Sequence, residues 1–129
     1  MSVILIMGSE QDSNFVKKIT NKLSEYKITF NCYISSAHKN TEDVLRILGG
    51  LRQPEKYVII TVAGMSNALS GVVSANTQYP VIACPPFRDN VDMMINIHSS
   101  LQMPSNIPVL TILNPENCAL AVKNIISLF

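Results

Sequence analysis

Two hydroxyls, an imidazole and an ammonium stand together in Ser35-Ser36-Ala37-His38-Lys39. Histidine is the side chain whose ordinary pKa lies closest to neutral, so His38 can take or give a proton at working pH. A second polar stretch is Gly8-Ser9-Glu10-Gln11-Asp12-Ser13. A glycine followed by hydroxyl and amide side chains at the start of a helix offers free N–H groups and a favourable dipole to an anion. Asp12 adds an acceptor for sugar hydroxyls. The same residues also cap helices, so a capped turn without a ligand accounts for this stretch equally well. The third stretch is Ala63-Gly64-Met65-Ser66-Asn67-Ala68-Leu69-Ser70-Gly71, whose small residues let a ligand approach the backbone closely. Together the three point to a small phosphorylated ligand, with His38 as the proton carrier.

Other chemistries lack their residues. Neither GxGxxG nor GxxxxGK is present, and no serine has the GxSxG setting of a nucleophile elbow. No His/Cys/Asp/Glu cluster has metal-ligand spacing, so no metal is expected. His98 lies in an apolar helical run and reads as a packing or interface residue.

The elements that must position these stretches follow from periodicity. Val3 to Met7 is a continuous apolar run closed by Gly8, the pattern of a strand covered on both faces. Phe15, Val16, Ile19, Leu23 and Tyr26 then recur at helical spacing, with Asp12 or Ser13 as N-cap. Ile28 to Ile34 is a second strand leading into the His38 turn. The next helix has Asn40 or Thr41 as cap, an inner face of Val44, Leu45, Ile47, Leu48 and Leu51, and Gly49-Gly50 at its end. Tyr57 to Val62 is a third strand, Ser66 to Asn76 a short helix, and Pro80 to Cys84 a fourth strand. Asn90 to Leu101 reads as one helix, apolar over much of its girth and hence buried on more than one side. Val109 to Leu113 is a fifth strand. Asn114-Pro115 is a good N-cap and N1 pair for a last helix.

Five strands alternating with helices imply an α/β fold: a three-layer α/β/α sandwich on a parallel five-stranded sheet of flavodoxin-like order 2-1-3-4-5. In that order strands 2, 1 and 3 are neighbours. Their following turns, which are the three polar stretches, share the rim where open α/β sheets bind ligands.

At 129 residues one domain is expected. A net charge of +1 argues against nucleic-acid or membrane-surface partners. Charged residues are only 15% of the chain, against about 25% in a typical soluble domain. So low a share in a small chain implies surface hidden in a homo-oligomer. Cys32, Cys84 and Cys118 lack CxxC spacing and read as buried free thiols of a cytoplasmic protein. No stretch has the length and flanks of a signal peptide or a membrane span.

The polar stretches and their neighbours resemble the aminoimidazole ribonucleotide (AIR) carboxylases of purine biosynthesis. The matching pieces are Met7-Gly8-Ser9 with Asp12, Ser36-Ala37-His38-Lys39, Ala63-Gly64 with Ser66-Asn67 and Leu69, Tyr79-Pro80-Val81-Ile82, Cys84-Pro85-Pro86, and Ser99 to Ser105. They occur in family order and spacing. Lys39, Ser66-Asn67 and Cys84-Pro85-Pro86 are similar to the class II branch, which carboxylates AIR directly with CO2. The other branch, the N5-carboxyaminoimidazole ribonucleotide mutases, carries a second turn histidine that this chain lacks. A non-catalytic nucleotide-binding homologue is the third reading.

The resemblance implies that Ser9, Asp12, Ser36 and Lys39 hold the ribose phosphate, with Gly8 in the same substrate-binding set. Gly64, Ser66 and Asn67 would border the base and the CO2, and His38 would move the proton at C4 of the imidazole. It implies no cofactor: neither metal, ATP nor biotin. The partners would be the nucleotide, CO2 and other copies of the chain, as a homo-octamer or a smaller assembly. The chain departs from the family at Gln11, where a second Ser is usual, at Met65 for Arg, and at Asn106 for Gly. The resemblance also leads one to expect a single domain over residues 1–129 without the family's usual C-terminal extension helix.

Overall fold

A computed structural model describes residues 1–52 and 54–129. Its centre is β1 (Ser2–Met7), which pairs in parallel with β2 (Thr29–Ile34) on one side and β3 (Tyr57–Val62) on the other. Beyond β3 lie β4 (Val81–Ala83) and β5 (Leu110–Thr111), giving the expected order β2-β1-β3-β4-β5. The register is what matters for the site. Met7 stands beside both Ile34 and Val62, so these three neighbouring strands end at one level. Gly8, Ser35 and Ala63 therefore leave the sheet side by side.

Successive residues of a strand face opposite ways, and β1 uses both faces. Val3, Leu5 and Met7 pack with Val16, Ile19 and Leu23 of α1 (Ser13–Glu25) and Cys118, Ala119 and Val122 of α6 (Pro115–Ile126). Ile4 and Ile6 pack with Val44, Ile47 and Leu48 of α2 (Thr41–Gly49) and Leu69 and Val73 of α3 (Leu69–Ala75). Leu45, expected on the inner face of α2, is exposed instead.

Helix ends follow their local chemistry. Asn114 accepts a hydrogen bond from Asn117 N–H at 2.8 Å, with Pro115 in the first turn of α6. α2 gives way at Gly49-Gly50. Asp12 and Asn40 occupy their N-cap positions without a side-chain cap bond, while the Ser13 hydroxyl donates to the Glu10 carbonyl at 2.6 Å.

Five expectations need correction. α3 starts at Leu69 rather than Ser66, because the Asn67 side chain accepts from Ser70 N–H at 3.3 Å, the bond of a residue that stands ahead of the first turn. The run from Asn90 divides into α4 (Asn90–Asn96) and α5 (His98–Leu101). The division falls where the Ser99 hydroxyl donates to the Asn96 carbonyl at 2.8 Å, competing with the helix's own bonding. Nor is α4 buried on several sides within the chain: Val91, Met94 and Ile95 are 66–69% exposed, and its buried residue is Asp92. Cys32 is exposed on the edge strand β2, whereas Cys84 and Cys118 are buried. β4 and β5 are shorter than expected, flanked by prolines that cannot donate to a ladder.

No helix among the described residues is long and apolar enough to cross a membrane.

Candidate functional site

The level strand ends bring the three polar turns around one crevice of about 200 Å³. The β1 turn contributes Gly8, Ser9, Gln11 and Asp12, and the β2 turn Ser36, Ala37 and His38. The β3 turn supplies Ala63, Gly64, Met65 and Ser66, with Ala68 and Leu69 behind them.

Each turn is shaped by its own short-range bonds. Ser9 Oγ accepts from Gln11 N–H at 3.2 Å, and the Ser9 carbonyl accepts from Asp12 N–H at 3.1 Å, closing a short 3₁₀ turn over Glu10–Asp12. Asp12 is half-buried, and burial raises its carboxyl pKa above the ordinary value. In the second turn, Ser36 Oγ accepts from Lys39 N–H at 3.2 Å, and the Ser36 carbonyl accepts from Asn40 N–H at 2.8 Å. That leaves the Ser36 hydroxyl hydrogen for a ligand and presents His38, exposed, at the crevice edge. Lys39 stands on the same turn outside the lining.

The third turn is wedged. A Cβ on Gly64 would come 3.2 Å from the Pro86 carbonyl oxygen, so a larger residue there would need that wall to give by a few tenths of an ångström. Met65 follows in the left-handed region with 72% of its surface exposed. Ser66 faces solvent at the crevice, while Asn67 is 4% exposed and turned inward. Its backbone N–H donates to Ser99 Oγ at 2.9 Å, and its Nδ2 donates to Ser100 Oγ at 2.9 Å. Its Oδ1 accepts from Ser70 N–H at 3.3 Å. Thus Gly8, Ser9, Asp12, Ser36, His38, Gly64 and Ser66 gather at the crevice, and Asn67 and Lys39 do not line it.

A family model described as AIR carboxylase matches residues 2–129. The chain belongs to the AIR carboxylase family. It is 46% identical over 128 residues to the phosphoribosylaminoimidazole carboxylase of Archaeoglobus fulgidus, covering 99% of this chain and 70% of that one. It is 42% identical over 130 residues to the enzyme of the same name from Treponema denticola, covering 98% and 80%. A bifunctional phosphoribosylaminoimidazole carboxylase/phosphoribosylaminoimidazole succinocarboxamide synthetase of Drosophila melanogaster is 37% identical over 98% of this chain, which spans only 29% of that protein. The crystal structure of Treponema denticola PurE superposes with a TM-score of 0.89 at 41% identity, covering 98% of this chain and 80% of that one.

Within this AIR carboxylase fold, one sequence departure has a local explanation. Asn106 adopts φ 70°, a conformation that glycine takes freely and that asparagine tolerates better than most residues. Sequence reasoning did not assign Ala37, Ala68 and Leu69 to the lining, since small and apolar residues carry no chemical signal. It also passed over Ser99 and Ser100 as partners of the third turn. Their presence among the family-matching pieces was the one available hint.

Proposed function

We propose that the chain carboxylates AIR with CO2 to the 4-carboxylate, without ATP, in purine biosynthesis. The observation that carries this is the convergence of Ser9, Asp12, Ser36, His38, Gly64 and Ser66 on one crevice from three neighbouring strand ends. The ring carbon C4, made electron-rich by the amino group, attacks CO2 and forms the new C–C bond. C4 is then tetrahedral and still holds its hydrogen. His38 takes that proton, and the C–H electron pair restores the aromatic ring. A positioned base is worth roughly 10²–10⁴-fold in rate.

Ser9, Ser36 and Lys39 are assigned to the phosphate. Asp12, as carboxylate, accepts from the ribose hydroxyls. The small third turn, with the Ser66 hydroxyl, borders the CO2 and supplies donors to the developing carboxylate. The mutase reading is compatible with the family but not favoured, because the third turn has no second histidine.

A homo-oligomer, an octamer or a smaller assembly, belongs to the same proposal. It is supported by the outward apolar face of α4 and by a crevice smaller than the roughly 300–1,000 Å³ of most small-molecule sites. A cytoplasmic location suits the free cysteines.

The test is parallel kinetics with AIR plus bicarbonate and with the N5-carboxylated isomer, each without ATP. Turnover of AIR, abolished by His38→Asn in a folded variant, is the expected result. Turnover of the isomer alone would make the chain a mutase, and turnover of neither would make it non-catalytic.

A further inference from the structure

We infer that Asn67, Ser99 and Ser100 are positioning residues, which clamp the third turn in the shape the carboxylation step requires. The inference rests on the carboxylase reading and gives Asn67 a role away from the substrate. Asn67 is almost wholly enclosed, and its amide is committed on both sides: Nδ2 to Ser100 Oγ and Oδ1 to Ser70 N–H. Ser100 is 1% exposed. Ser99 Oγ accepts from Asn67 N–H and donates to the Asn96 carbonyl, at the point where α4 gives way to α5. Two adjacent serines thus grip one asparagine from 32 and 33 residues away in the chain.

Something must hold this turn. Met65 keeps a left-handed backbone without being glycine, a conformation that persists only where its surroundings over-determine it. The Gly64 contact with Pro86 confines one side of the turn, and the Asn67 grip confines the other. Between the two anchors lie Met65 and Ser66, both at the crevice. Among the described residues, no protein acceptor engages the N–H groups of Gly64, Met65 or Ser66. Those donors and the Ser66 hydroxyl border the place assigned to CO2. Misplacing reacting groups by about 1 Å can cost on the order of 10²-fold in rate. Loosening the clamp should therefore slow the chemical step while leaving the nucleotide, held mainly by the other two turns, bound as before.

The experiment compares the full chain with Ser100→Ala, Ser99→Ala, Asn67→Ala and Ser99→Thr, by steady-state kinetics and amide hydrogen exchange. Ser100→Ala is the most telling variant, because it leaves the Asn67 N–H to Ser99 bond in place. The expected result is faster exchange at the Asn67 amide in Ser100→Ala, by about tenfold or more, with β1 and β3 amides unchanged. With it should come a kcat lowered by about 10–100-fold at a nucleotide KM within about twofold. Ser99→Thr, which keeps a hydroxyl, should recover most of the rate that Ser99→Ala loses. Unchanged Asn67 exchange in Ser100→Ala, or a kcat kept within about twofold in both Ser100→Ala and Asn67→Ala, overturns the clamp. If the native chain itself turns over no nucleotide, the carboxylase reading has failed, and the exchange data alone decide whether the clamp exists. Should Ser99→Ala not fold, Ser100→Ala and Asn67→Ala carry the same test.

Discussion

Helix α1 turns Val16, Ile19 and Leu23 into the core and leaves Lys17 and Lys18 in solvent, whereas α4 sends Val91, Met94 and Ile95 outward and buries Asp92. Both helices show apolar residues at helical spacing. In α1 that spacing marks the face toward the sheet. In α4 the face toward the chain is the polar one: the Asp92 carboxylate accepts from Arg88 N–H at 2.9 Å and from Asn96 Nδ2 at 2.7 Å, and Asp89 caps the first turn by accepting from Asp92 N–H at 2.8 Å. An amphipathic pattern thus says that a face will be covered, and leaves open whether the cover belongs to the same chain.

That contrast can be tested by substitutions on each helix. The largest effect on protomer stability should come from Leu23→Ala, which empties a fully buried position. It should cost about 2–5 kcal/mol in urea unfolding. A loss below about 1 kcal/mol would mean that the α1 face is no core.

Removing the Asp89 cap should cost less. Asp89→Ala is expected to destabilise by about 0.5–2 kcal/mol, with circular dichroism showing the other helices intact.

Asp92→Asn isolates the charge and should leave a pH signature. Hydrogen bonds from Arg88 N–H and Asn96 hold the Asp92 carboxyl below its ordinary pKa of 3.8. A carboxyl whose folded pKa is depressed contributes stability that is fully present above the unfolded pKa and is lost as pH falls through the folded one. The native chain should therefore exceed the variant by a constant margin above about pH 5, and the margin should shrink below about pH 4. A margin independent of pH down to pH 2 would show that the carboxylate charge is not what α4 uses.

The smallest effect on the protomer is expected at the outward face. Met94→Lys should change unfolding by no more than about 0.5 kcal/mol under dissociating conditions, because a 69% exposed side chain has little to lose. The same substitution should break the proposed homo-oligomer in sedimentation velocity. An undisturbed oligomer would place the subunit contact elsewhere.

The strand order and the rim carrying the crevice were legible in the sequence because both depend on neighbours in the chain. Val3 to Met7 announces a central strand, and each polar turn directly follows a strand. What the sequence hid depends on distant residues. The burial of Asn67 needs Ser100, 33 residues on, so its polar side chain looked available for substrate. Cys32 looked buried because its neighbours are apolar, yet β2 ends as the edge of the sheet. The α4–α5 division needed the Ser99 hydroxyl, and serine alone does not announce which carbonyl it will take. Met65 at φ 54° was invisible because methionine carries none of the usual signs of a left-handed residue.

The distance between Asn67 and its two serines also bears on the order in which the protein is made. The residues lining the crevice lie between Gly8 and Leu69, and so leave the ribosome before Ser99 and Ser100. Strands β1, β2 and β3 can pair at that stage, and the hydrogen bonds of the first two turns reach no further along the chain than Val62. The third turn cannot take its final shape until Ser99 and Ser100 have emerged and packed. A nascent or truncated chain carrying the complete crevice lining would therefore still lack a finished site. Synthesis and packing of residues 99–100 thus gate the onset of activity.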